Sequence, residues 1–419
     1  MKILIVNIYD IDGGAARATY RIHKSLLARG IDSQMLVQRK KSDDTSVESL
    51  GTTNLKKIIN LLRPSIDRMP LIFYRKRTKA LFSTSWLGFN NIVNTINDIN
   101  PDVVHLHWVC GGMIKIEDLV RIKAPIVWGL LDMWSFTGGC HYNDFCENFK
   151  KNCGNCKVLA SDKDYDLSRL IYNKKKKIYC QLPNMVIIGH SRWLAESAKQ
   201  SSLFKGNRIL NIPSAIDTTI FKPLNKNISR EIFNLPKNKK LILFGAMGAT
   251  SDPRKGFNEL SDSLHKLKGE DIEFVVFGSS KPKNPPNFGF KTHYLGYLND
   301  DIGLANLYSA VDIMVVPSLQ ENLSNAIIES LACATPVVGF DIGGNSDMIE
   351  FKKTGYLAEP FDTTDLKDGI EWVLNADNYD ELCANAREKV MKEFDSLVVA
   401  KKYIELYEDI LKPGIKSEV

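Results

Sequence analysis

The 419-residue chain lacks any run of 18 apolar residues free of charge, which argues against an ordinary membrane-spanning helix. No short-period repeat and no low-complexity tail is evident, so solenoids and disordered arrays are excluded as its architecture. No charged leader precedes the first apolar segment, Lys2 to Tyr9, and the expectation is a cytoplasmic protein without a signal peptide. Its basic residues carry no recognisable nucleic-acid-binding module, so nucleic acid is not an expected partner. What is present is ordinary for a globular chain: 44% apolar and 25% charged residues, over a length that suits two domains of about 200 residues, each with its own core.

The net charge of +6 hides an asymmetry. Residues 1–207 hold 31 Lys+Arg against 18 Asp+Glu, a net of +13, which leaves 24 against 31, a net of −7, for the rest. The densest basic region runs from Leu55 to Arg63 and on through Tyr74 to Lys79, with cations interleaved among Ile, Leu, Phe and Tyr; Lys174 to Lys177 form a second cluster. Such patterning suits an anionic membrane surface. Pro64 and Pro70 speak against one long interfacial helix and leave a solvated loop as the competing account.

Strands and helices alternate along the whole chain. The first domain, residues 1–207, has expected strands at Lys2–Tyr9, Gln34–Gln38, Asp102–His107, Pro125–Leu130 and Met185–His190, with a helix from Ala15 to Ala28 after the turn at Gly13-Gly14. The second, residues 208–396, repeats the pattern at Leu241–Ala246, Glu273–Gly278, Asp312–Pro317 and Pro336–Asp341. This is an α/β chain of two doubly wound, Rossmann-like units.

The most informative stretch is Pro317 to Glu329, which places Glu321 and Glu329 eight residues apart across a strand end, a turn and the first turns of a helix. Open α/β sheets bind ligands at such strand ends. If the helix begins near Asn322, the backbone N–H groups of Asn322, Leu323, Ser324 and Asn325 face an anion such as a diphosphate. At about 1.5 Å per helical residue, Glu329 lies roughly 10 Å deeper than Glu321, about the span from a sugar hydroxyl across a diphosphate to a ribose. Two further loops point to the same sheet edge: Arg254-Lys255-Gly256, with two cations for phosphate oxygens, and the glycine turn Gly343-Gly344. The bland account is that both glutamates are solvated helix charges.

Together these residues resemble the retaining glycosyltransferases of family 4, which have the GT-B fold and an E-x7-E motif. The resemblance covers nearly the whole chain and includes Gly13-Gly14, Ile212 to Asp217, Phe221 to Pro223, Arg254 to Phe257, Gly296 to Leu298, the two glutamates and Gly343-Gly344. Within that family the chain is most similar to bacterial exopolysaccharide and colanic-acid-type transferases with a cysteine-rich insert after the segment Asp132 to Gly138.

The resemblance implies two domains facing across a cleft, with the final segment, 397–419, packing back on the first. It also implies a nucleotide-sugar donor bound mainly to the second domain and a saccharide acceptor on the first. In that scheme Glu329 takes the ribose hydroxyls and Arg254 and Lys255 the diphosphate. Glu321 and the amides of residues 322–325 take the sugar and its phosphate, while Gly13 and Gly14 let the backbone approach the donor. No covalent protein nucleophile and no divalent metal for catalysis are implied. His107 and Asp132 are candidates for the sugar side, and His105 reads as a structural histidine. One departure stands out: Leu131 occupies the place before Asp132 where the family usually carries histidine.

Cysteine is the second constellation. Cys140, Cys146, Cys153 and Cys156 fall as C-x5-C-x6-C-x2-C, a spacing that suits a structural tetrahedral zinc, with His141 able to replace one ligand; disulfides are the competing account. The run Asp162 to Asp166 looks like an Asp-x-Asp metal motif but reads as a helix start or loop.

The expected function is transfer of a hexose-type unit, with retention, from a UDP- or GDP-linked sugar to a saccharide acceptor, itself lipid-linked, in bacterial surface polysaccharide biosynthesis. The protein is expected in the cytoplasm or peripheral at the inner face of the membrane. A sugar-nucleotide epimerase of the same fold and a catalytically weak homologue acting as a binding subunit are the rival readings.

Overall fold

Parallel strands covered on both faces need apolar residues at nearly every position, and the strand segments of this chain have them. The computed structural model describes residues 1–51, 53–87, 91–245, 252–269, 271–298 and 300–412. The chain divides into two units, Met1–Ser214 joined by the C-terminal segment from Val399 onward, and Ala215–Val398.

The first unit holds strands β1 (Lys2–Tyr9), β2 (Asp32–Arg39), β3 (Val47–Ser49), β4 (Val103–Leu106), β5 (Ile126–Leu130), β6 (Val186–Gly189) and β7 (Ile209–Asn211). They form one parallel sheet in the order β3-β2-β1-β4-β5-β6-β7. Its helices are α1 (Gly14–Ala28), α2 (Asn54–Asp67), α3 (Ile92–Ile99), α4 (Leu167–Tyr179) and α5 (Arg192–Gln200).

The second unit has helices α6 (Lys226–Ile232), α7 (Phe257–Lys266), α8 (Asp301–Ala310), α9 (Asn325–Ala332), α10 (Asn345–Met348), α11 (Thr363–Leu374) and α12 (Tyr379–Glu393). Its strands are β8 (Lys240–Gly245), β9 (Ile272–Phe277), β10 (Thr292–Tyr294), β11 (Ile313–Val316), β12 (Val337–Phe340) and β13 (Gly355–Ala358), in the order β10-β9-β8-β11-β12-β13. Alternate residues of one strand feed opposite cores. Leu241, Leu243, Val275, Phe277, Met314 and Val316 pack on one side. Ile242, Phe244, Phe274, Val276, Ile313 and Val315 pack on the other, as the two-residue period of a strand requires.

In both sheets the chain winds outward one way and then returns to wind the other way. The reversal lies between β1 and β4 in the first unit and between β8 and β11 in the second. Loops leaving those four strand ends are therefore where a doubly wound sheet opens a ligand crevice. The last helix, α13 (Ser396–Leu411), returns to the first unit: the Tyr407 hydroxyl meets His105 Nδ1 at 2.7 Å, and Arg208 pairs with Asp409.

Several expectations shift. Strand β8 ends at Gly245, and Ala246 lies outside the described residues, as do residues 413–419 of the expected C-terminal segment. Pro64 does not break its helix: it sits inside α2. The carbonyl it deprives of a helical partner, that of Asn60, accepts instead from Gln38 Nε2 at 3.3 Å. Lys174 to Lys177 are not one surface cluster, since Lys175 is fully buried.

Candidate functional site

The loops after β8, β11 and β12 converge at one edge of the second sheet, and close backbone approach is what joins them. Gly256 has φ +69°, and a Cβ there would lie 1.8 Å from the Pro317 carbonyl oxygen; Gly343 has φ +54°, and its Cβ would lie 1.8 Å from the Glu321 carbonyl oxygen. Only glycine fits either position. The Leu319 N–H donates to the Arg254 carbonyl at 2.8 Å, which ties the β11 loop to the cationic turn Pro253–Lys255.

This framework sets Lys255 Nζ 2.9 Å from Glu321 Oε2, with the lysine about one quarter exposed and the glutamate about one tenth. Glu321 Oε1 also accepts from the Asn322 N–H at 3.2 Å. Arg254 folds onto Asp252 through Nε at 3.2 Å and Nη2 at 2.6 Å. Burial pushes the Asp252 carboxyl up, but the hydrogen bonds and charge of Arg254 outweigh it and hold it below its usual range.

Helix α9 starts at Asn325 with Ser324 as its N-cap, three residues later than expected, so Asn322 and Leu323 belong to the loop. Ser324 makes no side-chain cap hydrogen bond, and Pro317 to Leu323 are taken up in the turn from the strand. Asn322 and Ser324 are buried, and the first helical amides begin at Asn325. Glu329 lies one turn further in, 4% exposed, and its Oε2 accepts from the Tyr308 hydroxyl at 2.9 Å. Tyr308 carries no sequence signal; only the packing of α8 brings it to α9.

In the first unit, Gly13 is the N-cap of α1 with φ +96°, a conformation that excludes most side chains, and Gly14 opens the helix. Across the same reversal, the ends of β4, β5 and β6 gather three histidines. His105 and His107 have ring centroids 4.1 Å apart, and His107 stacks on His190 at 5.8 Å with an interplanar angle of 3°. Gly129 makes room, since a Cβ there would lie 2.7 Å from His107 Cε1. Neither ring nitrogen of His107 has a hydrogen-bonding partner among the described residues. Burial pushes His105 down to about 3 and His190 down to about 4, and pushes His107 well below its usual range. The three rings are neutral at ordinary pH. His190 was not singled out in the sequence, although its place at a strand end was the available signal.

Asp132 is engaged within the first unit. It accepts from Trp108 Nε1 at 2.9 Å, from the Trp134 N–H at 2.8 Å and from His141 Nδ1 at 2.6 Å. Burial pushes its carboxyl up, but the charge and hydrogen bond of His141, with the two other donors, hold it below its usual range. The second nitrogen of His141 meets Ser83 Oγ at 2.8 Å, so this ring does not replace a cysteine.

The insert's four cysteines are all free thiols. The Gly138 N–H donates to Cys153 Sγ at 3.1 Å, while Cys140 and Cys156 pack against the small core of Leu71, Phe82, Val158, Leu159 and Ile171. Among the described residues no group of three or more His, Cys, Asp or Glu side chains is placed to hold a metal ion. The Asp132–Gly138 segment before the insert is tied down by Lys175, whose ammonium donates to the Trp134 and Thr137 carbonyls and lies 3.9 Å from the Trp134 ring centroid. Burial pushes that amine down to about 8. The Asp162–Asp166 run is indeed a helix start: Asp166 caps α4 by accepting from the Arg169 N–H, and Asp164 pairs with Arg169.

Comparison with known proteins bears on both units. The family described as "Glycosyl transferases group 1" matches residues 238–376. A protein described as a colanic acid biosynthesis glycosyl transferase, WcaC of Escherichia coli (strain K12), is 25% identical over 361 residues, 81% of this chain and 82% of that protein. A phosphatidyl-myo-inositol mannosyltransferase of Mycobacterium tuberculosis (strain ATCC 25618 / H37Rv) is 25% identical over 226 residues, 51% of this chain and 57% of that one. Among solved structures, sucrose-phosphate synthase from Thermosynechococcus elongatus superposes with a TM-score of 0.70 at 19% identity, covering 98% of this chain and 99% of that one. Anabaena HepE in complex with UDP-glucose gives 0.64 at 16% identity, covering 98% and 100%.

Proposed function

We propose that this chain, a GT-B-fold protein whose residues 238–376 form a group 1 glycosyltransferase domain, transfers a hexose with retention from a nucleoside diphosphate sugar to a lipid-carried saccharide. The observation that carries the reading is the Lys255–Glu321 pair, held at the reversal of the second sheet by the close approaches of Gly256 and Gly343. Surface polysaccharide synthesis is supported by the likeness to WcaC, a UDP-linked donor by the ligand of Anabaena HepE, and a lipid-carried acceptor by the name of the mycobacterial relative.

The chemistry follows from charge. Departure of the nucleoside diphosphate builds negative charge on its phosphate oxygens, and fixed cations and amides aimed there lower the barrier. Lys255 and Arg254 supply the cations, and the amides at the start of α9 supply donors backed by the helix dipole. Glu321 orients Lys255 and accepts from sugar hydroxyls, while Glu329, held by Tyr308, takes the ribose. Gly13 and Gly14 offer unhindered backbone on the first unit. The displaced phosphate takes the acceptor's proton, so no protein nucleophile is needed.

The experiment is thermal unfolding with UDP, GDP, ADP and dTDP at matched concentrations, where a ligand at 100 times its Kd adds about 2.7 kcal/mol. A selective response, abolished in Glu329→Ala, supports the donor site and names its base. Release of nucleotide only when an acceptor is added separates a transferase from an epimerase. A flat response to all four would favour the binding-subunit reading.

A further inference from the structure

Helix α2 is built inside out. Leu55, Ile58, Ile59 and Leu62 recur at the spacing of one helical face, and all four are exposed, Leu55 by 69%. Its buried residues are polar: Asn60, Arg63 and Asp67. That inner face is bonded down, with Asn60 Nδ2 donating to the Gln38 carbonyl at 3.0 Å, Arg63 Nε to the Gly112 carbonyl at 2.7 Å, and Trp86 Nε1 to the Asp67 carbonyl at 3.1 Å. The apolar row is therefore held outward by the fold. The 3-10 turn Met69–Phe73 continues it with Ile72 and Phe73, the latter 88% exposed, while Leu71 is buried and the Tyr74 hydroxyl accepts from the Leu167 N–H at 2.9 Å.

Charge identifies what covers this face. Residues 54–81 carry eight Lys or Arg and one acid, Asp67, which is buried. A cleft of about 380 Å³ beside the exposed turn is lined by Ile72, Arg75, Arg77 and Lys79 with neighbouring residues of the same segment. Pairing of this face with the same face of a second copy would set these cations against themselves, which like-charge repulsion opposes. Nucleic acid would leave the apolar row in water. An anionic bilayer satisfies both features, since an amphipathic helix lies with its apolar face at the acyl boundary and each nearby cation gains from the surface potential.

We propose that α2 and the turn after it dock this protein on an anionic lipid bilayer, with Phe73 and the Leu55–Leu62 row entering the interface and Arg75, Arg77 and Lys79 meeting lipid phosphates. The docking needs neither donor nor acceptor, so its failure and the failure of the transferase reading are separable.

The test is flotation of the full chain with vesicles of phosphatidylglycerol and phosphatidylcholine, against vesicles of phosphatidylcholine alone. The anionic vesicles should retain at least about tenfold more protein, and both Ile72→Asp/Phe73→Asp and Arg75→Glu/Arg77→Glu/Lys79→Glu should lose at least about tenfold of that. Lys392→Glu, on the exposed face of α12, should float like the parent protein. All the altered side chains are exposed, so unfolding temperatures should not move, and a Phe73→Trp reporter should shift its emission to the blue only on anionic vesicles. Equal retention on both vesicles, or double and triple variants that float like the parent, would overturn the proposal. A concentration-dependent dimer abolished by Phe73→Asp would overturn it too, by assigning the face to a second copy.

Discussion

Two lysines, one in each unit, show how burial divides labour in this molecule. Lys175 is wholly buried, bonds to two main-chain carbonyls, lies over the Trp134 ring and is pushed down to about 8. Lys255 keeps about a quarter of its surface in water and faces a carboxylate across 2.9 Å. The first holds the Asp132–Gly138 segment that leads into the cysteine-rich insert; the second can meet an incoming anion. The strand ends around them differ in the same sense. The first unit presents buried, neutral histidine rings, and the second presents fixed charges on loops joined by glycine. A group that must stay charged and reachable is kept near water, while a group that only holds structure is sealed away.

Acid should break the comparison most severely. His105 and His190 sit near 3 and 4 when folded against about 6.5 when unfolded, and His23, also pushed down by burial, sits near 4. Between those values and 6.5 the unfolded chain binds more protons than the folded one, so stability present above pH 6.5 is lost as pH falls toward 4. Each histidine contributes up to about 1.4 kcal/mol per pH unit, so the first unit should lose several kcal/mol. Five of the six tryptophans lie in that unit, and their fluorescence should change at a higher pH than hydrogen exchange in the second unit.

Removing each lysine sharpens the contrast. Lys255→Ala should lower release of nucleoside diphosphate by about 10² to 10³, measured on the donor with acceptor present, and leave the unfolding temperature unchanged. Lys175→Met should do the reverse: about 2–4 kcal/mol of stability lost in denaturant unfolding, because two buried carbonyls lose their donor. Gly343→Ala should cost about 1–3 kcal/mol from its backbone conformation, with donor binding lost as the Glu321 loop is displaced. Tyr308→Phe is the smallest change, about 1 kcal/mol or more in unfolding, since Glu329 loses one hydrogen bond.

The central strands and the alternation of strand with helix were legible because parallel strands buried on both faces leave unbroken apolar runs such as Leu241 to Phe244 and Ile313 to Val316. Strands β3, β7, β10 and β13 escaped because they are the outermost strands of their sheets and, like Thr292 to Tyr294, carry too little apolar pattern. The cationic turn and Glu321 were legible as loops at one sheet edge, and the structure sets Lys255 on Glu321. Tyr308, His190 and Asp252 were not, since each matters only through a neighbour distant in sequence or through a local pairing. The basic stretch that holds α2 was read as suiting an anionic membrane surface or as a solvated loop, and the outward apolar face of a helix was not foreseen, because sequence periodicity gives a stripe but not which side of it meets the protein.

The central claim, a diphosphate site at the reversal of the second sheet, is tested most directly by calorimetric titration of UDP and GDP into the parent protein and Lys255→Ala. One nucleotide should bind in a one-to-one ratio, at least about tenfold more weakly in the variant, because one charge-assisted contact is lost. Absence of binding by either nucleotide, or equal affinity in the two proteins, would contradict it.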